Sequence, residues 1–95
     1  MLNERDLEVA DEWIQEHVLE DGVHDFDDAE EEGNTVKYFF NRIADRASVV
    51  YLVTVNNGKL VSIKKEVYHE DGEGTRADEA EWIVGKRRQT RKARR

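Results

Sequence analysis

The sequence has no cysteine, no proline and only three histidines. The lack of cysteine excludes disulfides, thiolate metal sites and a cysteine nucleophile. The lack of proline leaves helices free to run unbroken. No apolar run approaches the roughly 18 residues of a membrane span. The opening residues, with Asn3, Glu4 and Asp6, do not form the basic-then-apolar pattern of a secretory leader. There is no N-glycosylation acceptor pattern. These absences point to a cytoplasmic protein, or a nuclear one where the host has a nucleus.

What the chain does have is charge, unevenly placed. Its 95 residues allow one domain, and 38% hydrophobic against 39% charged residues implies a small core inside a heavily charged surface. Residues 1–84 hold all 22 acids and eight of the 15 basic residues, a net −14. Residues 85–95 hold the other seven bases and no acid, so they carry +7 against the overall −7. The expected organisation is an acidic domain over 1–85 and a basic C-terminal tail over 86–95.

Periodicity predicts a first helix from about Asn3 or Asp6 to Leu19, with Leu7, Ala10, Trp13, Ile14, His17 and Val18 on one face. Residues 20–33 read as an acidic loop or short helix. Val36, Phe39, Phe40, Ile43, Ala44 and Ala47 follow the helical period, so 35–47 reads as a second amphipathic helix. Its aromatic content keeps a strand over 35–43 as the alternative. Val49–Val55 and Leu60–Tyr68 are β-rich and flank Asn57-Gly58, the favoured two-residue hairpin turn. Thr75 with Asp78 then opens a last helix carrying Ala77, Ala80, Trp82, Ile83 and Val84. The expected fold class is α+β: two N-terminal helical segments, an antiparallel hairpin (three strands in the alternative) and a C-terminal helix running into the tail.

Counted outward from the turn, Thr54 opposes Val61, Leu52 opposes Ile63 and Val50 opposes Lys65. That register turns Val50, Leu52, Val61, Ile63 and Val67 toward the helices. It leaves Tyr51, Val53 and Val55 on the far face as a candidate protein interface or homodimer face, since a strand apolar on both sides is covered on both sides.

Few residues suggest chemistry. Ser48 and Ser62 lie in no nucleophile elbow. His17, His24 and His69 lack the spacing of a zinc motif. A calcium loop counted from Asp25 fails, with Ala29 at the fifth position and Glu30 at the sixth, where glycine is needed. Gly72, Gly74 and Gly85 match no phosphate loop. The expectation is no enzyme, no catalytic residue, no metal and no cofactor.

The tail is the strongest candidate. Lys86, Arg87, Arg88, Arg91, Lys92, Arg94 and Arg95 can displace counterions from a nucleic acid without reading its sequence. The segment has no apolar face for a membrane. Helix, helix and hairpin in that order resemble a winged helix, with 35–47 as reader and Lys37, Arg42 and Arg46 as its thin basic surface. The reading that follows is a small regulatory binding protein whose tail contacts nucleic acid while its acidic domain contacts protein. The alternative is an acidic inhibitor or adaptor that binds a basic protein and no nucleic acid.

Overall fold

The computed structural model describes residues 2–71 and 74–84, of which 70, 71 and 74–81 are described by their backbone alone. One helix, α1 (Glu4–His17), is followed by a short 3-10 turn at Leu19–Asp21 and five strands. These are β1 (His24–Glu32), β2 (Thr35–Arg42), β3 (Ser48–Asn56), β4 (Lys59–Asp71) and β5 (Gly74–Val84). They form one antiparallel sheet in the order β1-β2-β3-β4-β5, so every strand pairs with its sequence neighbours. The fold is α+β, with α1 packed on one face of the sheet. No helix among the described residues is long and apolar enough to cross a membrane.

Three expected elements are corrected. The second helix over 35–47 is strand β2, so the winged-helix arrangement does not form. Val36, Tyr38 and Phe40 point inward and alternate with more exposed neighbours. The spacing 36, 40, 43, 47 fits a helix and the spacing 36, 38, 40 fits a strand. The β-branched and aromatic content, with two strands available to pair, decides for the strand. The acidic connector is strand β1, exposed from Asp25 to Glu32. Extended backbone sends successive carboxylates to opposite faces, which relieves the repulsion that a helical turn would concentrate. The expected C-terminal helix is strand β5 over Gly74–Val84, paired along β4. An unpaired β4 edge gives this segment a ladder of hydrogen bonds that an isolated helix does not have.

The turns follow their residues. Gly33 opens the β1–β2 turn at φ 61°, and Asn57 and Gly58 take φ 53° and 73° as a type I′ turn requires. The β3–β4 register follows that turn only for two pairs, Asn56 with Lys59 and Val55 with Leu60. A bulge then leaves Val61 unpaired, so that Thr54 opposes Ser62, Val53 opposes Ile63 and Leu52 opposes Lys64. One extra residue exchanges the faces of everything beyond it. Val49, Tyr51, Val53 and Val55 therefore lie beneath α1 with Ile63 and Val67. Val50 and Leu52 lie on the other face.

Helix α1 closes this core with Ala10 and Ile14 and, at its C-cap, Val18, all at most 2% exposed. The lack of a bulky side chain at Ala10 lets the helix sit close to the strands. Two polar ties fix its position. Asn3 and Asp6 form a reciprocal capping box at the helix start. The Asp6 carboxylate, 4% exposed, also accepts a hydrogen bond from the Gly58 backbone N–H at 2.7 Å, 52 residues away. Arg5 packs over the same turn, where a Cβ at Gly58 would meet its Cγ at 3.2 Å. Further along, the Tyr38 hydroxyl donates to Asp11 at 2.5 Å.

Replacing Asp6 by Ala removes the charged acceptor of two backbone N–H groups, those of Asn3 and Gly58. It is expected to lower unfolding free energy by about 2–3 kcal/mol in urea titrations, and a loss under about 1 kcal/mol would refute the tie. Burial and the Asp11 carboxylate push the Tyr38 phenol well above its ordinary value. The folded chain thus holds a proton that the unfolded chain releases near pH ~10. That stabilisation is complete below this pH and is lost as pH rises beyond it. Tyr38→Phe is expected to flatten the alkaline fall in stability; an unchanged pH slope would count against this.

Candidate interaction face

The face of the sheet away from α1 is assembled by strand register. Glu30, Lys37, Leu52, Lys64 and Trp82 form one row across all five strands. Asp28, Phe39, Val50 and Glu66 form the next. Beyond each, the rows are polar and uncharged over β2 to β4, Thr35, Thr54 and Ser62 at one end and Asn41, Ser48 and Tyr68 at the other, and finish on β1 at the carboxylates Glu32 and Asp25. A shallow depression of about 340 Å³ sits over the apolar centre, lined by Phe39, Val50, Leu52, Lys37, Ser48, Glu66 and Tyr68.

The charges around this centre are paired within the chain. Lys37 Nζ lies 3.0 Å from Glu32, which holds the ammonium above its ordinary pKa. Lys64 Nζ lies 3.3 Å from Glu66 Oε2 and 5.7 Å from the centre of the Trp82 ring. The other Glu66 oxygen accepts from the Tyr68 hydroxyl at 2.7 Å, which raises the Tyr68 phenol. The Lys37 stem thus lines the apolar depression while its head reaches a carboxylate, and the Lys64 head lies between Glu66 and the Trp82 ring. Trp82 remains 46% exposed at the flank.

The candidate residues fall differently from expectation. Tyr51, Val53 and Val55 are 5%, 0% and 0% exposed in the core beneath α1, so they are not an open interface. The bulge at Val61 is the reason, and Phe39, Val50 and Leu52 take the outer position instead. The signal in the sequence was β3 itself, apolar on both sides while β4 alternates. The seven bases from Lys86 to Arg95 lie outside the described residues. Arg42 is bidentate to Asp45, at 2.9 and 2.7 Å, and holds that carboxyl well below the usual range.

Each histidine has its own local setting. His17 stacks on Trp13 at 4.4 Å, with its Nδ1 3.0 Å from the Trp13 carbonyl oxygen. The His24 side chain is 8% exposed, edge-on to Phe40 and Tyr51. Its Nδ1 is 3.3 Å from Asp21, within ion-pair range but outside hydrogen-bonding geometry, so both ring nitrogens lack a bond. His69 belongs to β4 and faces Arg76 across the ladder. Among the described residues, no three His, Cys, Asp or Glu side chains gather as a metal-holding group.

Compared with protein-family models, curated proteins and solved structures, the chain matches none.

Replacing Glu66 by Gln removes the carboxylate that raises the Tyr68 phenol. Tyr68 is then expected to ionise at lower pH in a phenolate absorbance titration, and an unmoved titration would show that the pair does not form in solution.

Proposed function

We propose that this is a small non-catalytic binding protein with two contact surfaces of different chemistry. The outer sheet face contacts protein, and the basic segment Lys86–Arg95 contacts nucleic acid. The observation that carries the reading is the one-sided cover of the sheet. Helix α1 buries one face, while the other carries a depression floored by the half-buried Phe39 and Leu52 and the buried Val50, beside Lys37, Glu66 and, at the flank, a half-exposed Trp82. An apolar centre with a polar rim is the layout of a protein contact. The basic segment supports the nucleic-acid half by composition: seven cations and no acid in ten residues.

A second reading rests on β1. All six of its carboxylates, from Asp25 to Glu32, are exposed along the edge of the sheet. That supports an acidic adaptor or inhibitor for a basic protein, with no nucleic-acid binding.

The two readings separate in one titration. On the first, fluorescence anisotropy with a labelled single-stranded RNA or duplex DNA shows binding at ~50 mM salt that weakens steeply by ~200 mM. Removing residues 86–95 abolishes it and leaves the fold intact. No binding by the full chain at low salt would exclude the nucleic-acid reading and favour the adaptor.

A further inference from the structure

We infer that the protein bound by the outer sheet face is a second copy of this chain, paired face to face about a two-fold axis that runs across the strands. This rests on the reading of that face as a protein contact and names its occupant.

The pattern of the face supplies the argument. The two central rows are Lys37–Leu52–Lys64 and Phe39–Val50–Glu66. A two-fold axis lying between them lays each row on the other row of the partner. Lys64 then meets the second copy's Glu66, and the reverse contact forms by symmetry. Leu52 of each copy falls over the depression floored by Phe39 and Val50 in the other. Lys37 lies over an aromatic ring, at Phe39. Over β2, β3 and β4 the rows of Thr35, Thr54 and Ser62 meet those of Asn41, Ser48 and Tyr68, so these uncharged stretches can exchange hydrogen bonds. A two-fold along the strands would instead stack Lys37 on Lys64, which the like charges disfavour.

Size sets the strength. Five strands span about 19 Å and four rows about 20 Å, so with rim side chains each copy contributes near the ~500 Å² of a small specific interface. The expected dimer is therefore reversible. The same axis lays β1 on β1, with Asp25, Asp28, Glu30 and Glu32 of both copies at one rim, more like charges than the two Lys64–Glu66 contacts offset. Their repulsion is screened by salt, so pairing tightens as salt rises, opposite to nucleic-acid binding.

Analytical ultracentrifugation of the full chain tests this. The wild type is expected to pass from monomer to dimer as its concentration rises to ~200 µM, the range of a small, transient interface. Lys64→Glu is expected to weaken association at least tenfold with an unchanged far-ultraviolet circular dichroism spectrum. The exchange of both charges, K64E with E66K, restores it to within a few-fold. A wild type that stays monomeric, or an association that weakens as salt rises, overturns the pairing regardless of how the variants fold. If such a monomer still binds nucleic acid through residues 86–95, that half of the function survives the loss of the dimer.

Discussion

The fold depends on one hydrogen bond to the carboxylate of Asp6. A single helix must cover the whole inner face of a five-stranded sheet, and nothing else among the described elements can do so. Asp6 serves two purposes there. It closes the capping box that starts α1, and it holds the Gly58 N–H of the β3–β4 turn. The first turn of the helix is thereby locked to the tightest turn of the sheet. Gly58 suits this place twice, by its positive φ and by the space it leaves for Arg5. From that anchor Ala10, Ile14 and Val18 follow along the sheet, and Tyr38 meets Asp11 midway.

The bulge at Val61 has the widest effect on the surface. Without it, Leu52 would oppose Ile63 and the two faces of β3 would change places. With it, β3 buries Val49, Tyr51, Val53 and Val55 beneath α1, and leaves Val50 and Leu52 on the outer face beside Lys37 and Glu66. The outer face therefore owes its character to a single unpaired residue more than to any exposed apolar run. Such a face can be partly shielded in the free chain and still suit a reversible contact, because lysine stems can move aside at small cost.

Some of this architecture could be read from the chain alone. The first helix, its cap and its inward face followed from spacing, and the Asn57-Gly58 hairpin followed from turn chemistry. The strand over 35–42 was present as an alternative, hidden because Val36 and Phe40 satisfy both periods. Strands β1 and β5 were not legible. Six carboxylates in nine residues carry no alternation of polarity, and β5 has acids and alanines that suit a helix equally well. Both become strands because neighbouring edges offer hydrogen bonds, which is a tertiary fact. The outer face was legible only as a puzzle: β3 had two apolar sides, and a one-residue slip decided which of them stayed open.

The acidic edge at β1 also limits how copies of this chain can be added to one another. An open sheet edge with free backbone donors and acceptors invites the next chain to continue the ladder, and that growth has no natural end. Here a copy joining through its own β1 would bring its row of carboxylates against an identical row. Pairing of two β1 edges is therefore opposed by charge. On the face-to-face pairing inferred above, this edge stays outside the contact and is guarded by its own charge.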